Sequence, residues 1–554
     1  MSDDALATDV MIVGGGPIGM TLAIDLDALG IRCVIANTET DTRWHPKGAT
    51  QNARTMEHYR RLGISRQLRS LGLPQDFPLD VGYFTRLTGW ELARLSLPSE
   101  REKMEVVANA GPVDQVPEPL LRCNQMYSEA FFLRHIQTLD RVDVRFGWQC
   151  LDFAEHKDGV TAEIEDVNTG RRQTVRALYL VGCDGGRGLT RRKLGVRYGG
   201  ESSGSEYHYL DGRMVSTYVN APGFLRRIPH RLCWQYWTVN TDVRCMSMVL
   251  DGSDDVTFGT MLRGPEDQID EGRIARAFLA AYGSDIELKF YDHRPWTAGH
   301  ALVADSFGAG RVLLCGDAAH LFTPTGGFGL NTGVDDAINL GWKLAASVQG
   351  WGGADLLASY EVERRAIALR NTAAGRQFVH SIGATPISAA INEDSPAGEA
   401  ARRKAGDYLS GFGEEFASLG VQLGARYDGS PIISGDGTSP PPDDLAVYTP
   451  SATPGGRAPH LWLKDRSSLY DQCDQGFTLL RFRGTSADTR PIEAAARSRG
   501  VPLKVVEIDH PEGRDLYQRD LALIRPDLIV AWRGNRLPGD CAALIERCVG
   551  GPAA

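Results

Sequence analysis

No stretch of this 554-residue chain approaches the apolar length that a membrane span needs. Its opening, MSDDALATDV, lacks the basic start and apolar centre of a secretory leader, so a cytoplasmic protein is expected. Cysteine is sparse, with ten residues scattered from 33 to 548 and no C-x-x-C pair. That argues against a disulfide framework or a zinc site and for reduced, mostly buried thiols. An excess of positive charge is missing too. The formal net charge is -10, so neither nucleic acid nor an anionic membrane is an expected partner. His320 lacks a second ligand at i+4, and no bound metal is expected. Internal repeats are absent, and the only biased tract is one Pro-rich stretch.

What is present is ordinary for a folded chain, 42% hydrophobic and 23% charged residues. The length exceeds one core and calls for roughly two to four domains. Residues 10–40 read as β-α-β: an apolar run at 10–13, a helix closing at Gly30, and a second apolar run at 33–36. Helices are expected over 51–63 and 124–139. Short alternating segments between about 205 and 295, among them RMVSTYV and RCMSMVL, predict an antiparallel sheet with one buried face. Residues 426–457 read as a linker or a long surface loop. Beyond them FTLLRF, VPLKVVEID and LALIRPDLIVAWR give a thioredoxin-like order with a hairpin at Pro526-Asp527, but no redox dithiol. A packing or assembly module is expected there. The expected fold is therefore α/β. A Rossmann-like domain occupies 1–200 and returns at 301–425, an antiparallel β-sheet substrate domain is inserted at 201–300, and the thioredoxin-like domain covers 458–554.

Gly14-x-Gly16-x-x-Gly19 lies between the first strand and its helix, with Pro17 beside it. Gly14 permits the tight turn, Gly16 lets the backbone approach a pyrophosphate, and Gly19 allows close helix–strand packing. Asn37 stands where such a unit usually ends in an acid. Its amide oxygen can still accept from a ribose hydroxyl, without charge assistance. Some 300 residues later a buried strand ends at Gly316-Asp317, placing a carboxylate at the carboxyl edge of a sheet. Gly326, Gly327 and Gly329 follow, where N–H groups converge before a helix and favour negative charge. Asp335-Asp336 is expected in the first turn of that helix, where the dipole favours carboxylates. Two elements so far apart on one cofactor suggest more than the first half of a nicotinamide dinucleotide. They speak against a flavin-free dehydrogenase.

Through ADSFGAGRVLLCGDAAH, GGFGLNTG and LGWKLAA the chain resembles the para-hydroxybenzoate-hydroxylase-like FAD-dependent aromatic monooxygenases. It is most similar to the phenol hydroxylase and 2-hydroxybiphenyl 3-monooxygenase subgroup with a C-terminal thioredoxin-like domain. The resemblance covers nearly the whole chain. It implies that Gly14, Gly16 and Gly19 hold the FAD pyrophosphate, with Lys47 beside the phosphates and Gln125 on the cofactor. Asp184 and Arg191 match the DG motif associated with FAD and NAD(P)H, and Gly188 replaces its usual serine. Asp317 matches the ribityl aspartate, and Pro324, Gly327, Gly329, Leu330 and Asn331 match the loop beside the isoalloxazine. NADPH or NADH would reduce the FAD, and molecular oxygen would give a C4a-hydroperoxide that hydroxylates a phenolic or polycyclic aromatic substrate. The alternative is a flavoprotein that protects a reactive aromatic intermediate. A homodimer is implied by analogy alone. Trp234, Tyr236 and Trp296 are the expected pocket wall, although a single aromatic reads first as plain core. Where relatives carry a substrate base, this chain has Ala49. His45, Tyr236 and Pro324 are the catalytic candidates, although a single loop histidine reads first as a solvated surface group.

Overall fold

The computed structural model describes residues 5–202, 213–262, 269–383, 385 and 387–552. The strand Leu6–Val13 runs up the middle of a sheet with Val10, Met11 and Ile12 fully buried, as a parallel strand covered on both faces must be. Helix Pro17–Ala28 follows, with proline in its first turn, where a missing N–H costs nothing. Strand Cys33–Asn37 then pairs parallel to the first. On the other side of Leu6–Val13 lie Arg172–Gly182 and then Val312–Leu314, both parallel to their neighbours. The chain order therefore reverses at Leu6–Val13, and the crevice beyond its carboxyl end is where such sheets bind ligands.

A second sheet has seven strands, in the order Lys289–Thr297, Arg213–Asn220, Asp255–Met261, Arg244–Val249, Gln235–Val239, Val81–Phe84 and Glu91–Leu95. The last two correct the expected division, because they come from within 1–200 and not from the inserted segment. Val81–Phe84 pairs parallel with Gln235–Val239, so the sheet is mixed. The expectation of one buried face is corrected as well. Phe258 on one face packs against Phe278 of helix Glu271–Tyr282, while the segment through His45 and Ala49 covers the other.

The C-terminal sheet is ordered Leu503–Ile508, Phe477–Phe482, Leu521–Ile524, Val530–Gly534, with the first pair parallel and the others antiparallel. Together with helices Arg490–Ser498, Pro511–Tyr517 and Cys541–Cys548, this is the expected thioredoxin-like topology. Residues 426–457 form no regular element, yet Tyr427, Ile432, Ala452 and Arg457 are buried. They form a packed strap, where a linker or a long surface loop was expected. Ten cysteines are unpaired, and the eight that are buried behave as small core residues.

Asp335 and Asp336 also differ from expectation. The helix begins at Phe328, placing them two turns in, beyond the reach of its terminal dipole. Arg364 compensates both, its Nε lying 2.6 Å from Asp336 Oδ1. His58 Nε2 lies 2.8 Å from Asp335, and His320 Nε2 lies 2.5 Å from Asp336.

Candidate active site in the switch-point crevice

Two glycine loops form the crevice. Gly14 has φ +110°, and a Cβ there would lie 2.3 Å from the Cys183 carbonyl oxygen. One on Gly19 would lie 2.0 Å from the Gly14 oxygen. Neither position can carry a side chain while strand and helix stay this close. Gly16 is different: a Cβ there would meet no protein atom within 4 Å. The fold does not require glycine at 16. The open space before a helix N-terminus without a side-chain cap does, if an anion is to sit there. Asn37 Oδ1 accepts from Gly15 N–H at 3.0 Å, and its Nδ2 donates to the Glu39 carbonyl at 3.2 Å. It pins the glycine loop and keeps one lone pair for a ribose hydroxyl.

Across the crevice Asp317 is exposed while 312–316 and 318–320 around it are buried. Lys47 faces solvent yet is walled by protein, as the side of a deep cleft is. That enclosure and Arg43 push its pKa down, against Asp317 and Glu129. Gln125 is set at the same turn, its N–H donating to the Gly48 carbonyl at 2.8 Å and its Nε2 to Glu129 Oε1 at 2.5 Å. Asp184 Oδ2 accepts from Thr190 N–H at 2.8 Å, while its buried Oδ1 has no partner. A Cβ on Gly188 would lie 2.2 Å from that carboxylate, so a serine here would require the Asp184 side chain to shift. Arg191 donates to the Val196 carbonyl at 2.7 Å and stacks 4.1 Å over the Tyr198 ring. Tyr198 Oη donates to the Asp317 carbonyl at 2.6 Å. Arg191 thus braces the two loops together.

At the far end, Gly326 and Gly327 have φ +76° and +66°, which only glycine adopts readily. They turn the chain into helix Phe328–Val348, whose first N–H groups have no side-chain cap. Pro324 is exposed, whereas Gly329 and Leu330 are half-buried. The side chain of Asn331 is fully used. Its Oδ1 accepts from Asn52 N–H at 2.8 Å and Thr55 Oγ1 at 2.7 Å, and its Nδ2 donates to the carbonyls of Thr50 at 2.9 Å and Gly327 at 2.6 Å. It clamps 50–55 to the helix and shapes the pocket without reaching into it. A free space at Gly16, an orphaned oxygen on Asp184, an exposed Asp317 and a glycine turn before a helix fit FAD from pyrophosphate to flavin.

The seven-stranded sheet roofs this end. Cross-strand pairing aligns Tyr83, Trp237, Met246, Gly259 and Ser216 in one row on its crevice face. Tyr83 and Trp237 stack at 6.4 Å. Trp296 pairs with Met214 on the same face at the sheet edge, and Trp234 precedes its strand beneath Arg122, 4.0 Å away. Tyr236 is a correction. Alternation turns it to the opposite face, where its oxygen accepts from Cys233 N–H at 2.8 Å and its ring meets Phe84 and Phe224. It is core, and lines no pocket. His45 is not a solvated loop residue. It is buried, Nδ1 lying 3.1 Å from Asp292 and Nε2 3.2 Å from Ser216 Oγ. Burial lowers its pKa against the pull of Asp292, and neither ring nitrogen is free for a substrate. Arg122, Tyr83 and Glu415, all at this end, carried no local sequence signal, since only tertiary packing buries them.

Residues 7–374 match the FAD binding domain family, and residues 451–552 match the aromatic-ring hydroxylase C-terminal domain. The chain belongs to the FAD-dependent aromatic-ring monooxygenases. The monooxygenase is 30% identical to FAD-dependent monooxygenase apdD of Emericella nidulans, over 95% of this chain and 87% of that one. It is 27% identical to 2,4-dichlorophenol 6-monooxygenase of Delftia acidovorans, over 96% and 95%. Among solved structures it is similar to chromopyrrolic acid-soaked RebC with bound 7-carboxy-K252c. There the TM-score is 0.89 and the identity 33%, over 99% of this chain and 100% of that one.

The geometry ranks two substitutions at opposite ends of the monooxygenase's crevice. Asn37→Asp keeps the acceptor for Gly15 but loses the donor to Glu39, so FAD affinity should rise only modestly. Asp317→Ala removes an exposed carboxylate that holds nothing else and should weaken FAD by about 10- to 100-fold, the range of a charged hydrogen bond. Fluorescence titration of apoprotein with FAD checks both, and equal effects would refute the two-ended site.

Proposed function

We propose that the monooxygenase hydroxylates a phenolic or polycyclic aromatic compound in the crevice, using molecular oxygen and NADPH or NADH as transient reductant. The observation that carries this reading is the flat wall of Tyr83, Trp237 and Met246 opposite the Gly326-Gly327 turn, with Gly259 leaving room beside it. When bound, FAD supplies the electron relay and the oxygen-transfer chemistry. The chain's own residues do the rest. Gly16 and its helix take the pyrophosphate, and Asp317 with Lys47 orients the middle of the cofactor. The N-terminus at Phe328 favours negative charge at the flavin end. The aromatic wall holds the substrate ring and excludes water. Unpaired thiols support a reducing cytoplasm, and family resemblance supports a homodimer.

Purified protein should be yellow. With 2,4-dichlorophenol or a hydroxyanthraquinone it should consume NADPH or NADH and oxygen faster, yielding a product one oxygen heavier by mass spectrometry. A bound aromatic without turnover would favour the protective flavoprotein instead. Failure of both nicotinamides to reduce the flavin would refute the proposal.

A further inference from the structure

Two thiols lie side by side at the floor of the crevice. Gly182 pairs with Leu314 in parallel register, and Cys315 N–H donates to the Gly182 carbonyl at 3.0 Å. The residues that follow, Cys183 and Cys315, are therefore neighbours on adjacent strands. Both side chains pack into one apolar cluster with Met20, Ala23 and Val334, so they share a face. Burial and a hydrogen bond with the Cys183 side chain keep the Cys315 thiol protonated. Adjacent strands run about 4.8 Å apart, inside the Cα separation of about 4.4–6.8 Å that a disulfide spans. Cys183 is half-buried and Cys315 is buried, so one thiol is open to a small oxidant and the other is held against it. Each is followed at once by a crevice loop, Asp184-Gly185 after Cys183 and Gly316-Asp317 after Cys315.

We propose that Cys183 and Cys315 are a peroxide-sensitive dithiol whose disulfide loosens the seat of the FAD pyrophosphate. The oxidant is hydrogen peroxide, formed when oxygen takes two electrons and no substrate accepts an oxygen atom. The Cys183 sulfur attacks one peroxide oxygen. An S–O bond forms, the O–O bond breaks, and hydroxide leaves with the thiol proton as water. The Cys315 sulfur then attacks the Cys183 sulfur. An S–S bond forms, the S–O bond breaks, and hydroxide leaves with the Cys315 proton as a second water. Two thiols are oxidised by one peroxide, whose oxygens are both reduced to water. A buried, protonated Cys315 makes the second step slow, so the pair answers sustained peroxide. Position gives the bond its consequence. Strand Arg172–Gly182 lies between Leu6–Val13 and Val312–Leu314. Cys183 N–H donates to the Val13 carbonyl at 2.7 Å, and its own carbonyl oxygen backs the Gly14 turn. A disulfide holds its Cβ atoms about 3.8 Å apart, closer than the strand spacing, so closure draws Cys183 toward Cys315 and away from Gly14. The glycine turn loses its backing, and Asp184 moves with Cys183.

The test treats holoenzyme, without substrate, with a small molar excess of hydrogen peroxide and then catalase. Mass spectrometry of a digest should find the Cys183 and Cys315 peptides joined, two hydrogens lighter than their sum. Freed of flavin and titrated by fluorescence, the treated protein should bind FAD at least about tenfold more weakly than untreated protein. Dithiothreitol should separate the peptides and restore the affinity, whereas methionine oxidation would persist. Cys315→Ala should stop at the Cys183 sulfenic acid, trapped by dimedone, and keep its FAD affinity through the treatment. Cys183→Ala should give neither adduct nor disulfide, keep its affinity too, and serve if Cys315→Ala fails to fold. Absence of the joined peptides would overturn the dithiol. Joined peptides with unchanged FAD affinity, or equal losses in wild type and the variants, would overturn its effect on the cofactor seat.

Discussion

Gly16→Ala should yield a folded but colourless protein. The added methyl meets no protein atom within 4 Å, so nothing in the chain opposes it. At φ −73° the backbone suits alanine, and the loss of unfolded-state freedom should leave apoprotein stability unchanged or slightly raised. The methyl instead occupies the approach to the helix N-terminus that a pyrophosphate needs. FAD affinity should fall by about 100-fold or more, equivalent to about 2.7 kcal/mol. Gly19→Ala is the contrast, because its methyl would sit 2.0 Å from the Gly14 oxygen and must spread strand from helix. That variant should lose flavin and thermal stability together. Calorimetry of the two apoproteins separates the cases. Equal destabilisation would mean that Gly16 serves the fold and not a ligand.

Glu363→Ala should undock the C-terminal domain. Glu363, on helix Ala358–Gly383, accepts from Arg525 at 2.6 and 2.9 Å, Lys343 at 2.7 Å, Asn339 at 2.8 Å and Ser430 at 2.6 Å. Those partners come from the thioredoxin-like hairpin, the long Rossmann helix and the strap, and the carboxylate is fully buried among them. Its removal leaves two buried cations short of a counter-charge and should cost about 3–5 kcal/mol. Limited proteolysis should open new cuts within 424–457. Arg490→Ala, which breaks the exposed pair with Asp488, should shift stability by no more than about 0.5 kcal/mol. Burial alone would raise the Glu363 pKa, but Arg525 and Lys343 outweigh it and hold the carboxyl well below its usual range. A depressed carboxylate contributes stability above its unfolded pKa of about 4.3 and loses it as pH falls further. Acid should therefore reproduce the undocked pattern in wild type. Resistance of Glu363→Ala to protease would refute the docking role.

Much of the site was legible because its signals are local. Gly14, Gly16 and Gly19 sit two to five residues apart in one turn; Gly19 is fixed by its approach to Gly14, Gly14 by the Cys183 carbonyl, and Gly16 faces open space. The apolar run before Asp317 declares a buried strand, and a carboxylate at its end must face the crevice. The same locality explains what failed. Tyr236 and Trp237 are adjacent and equally aromatic, and only pairing with Val81–Phe84, over 150 residues earlier, decides which one lies on the crevice face of the sheet. His45 read as a surface residue until Asp292 and Ser216 arrived from distant strands. Asp335 read as a helix cap because the helix start was placed too late, and its real partner is Arg364 on the next helix. By itself the sequence determined the dinucleotide fold and the thioredoxin-like order, since periodicity and glycine spacing are properties of short segments. Tertiary structure alone decided which side chains lie on the crevice face of the sheet and which charges join the elements packed around Glu363. Strand register and the burial of ion pairs depend on contacts between residues hundreds apart, and no short segment carries them.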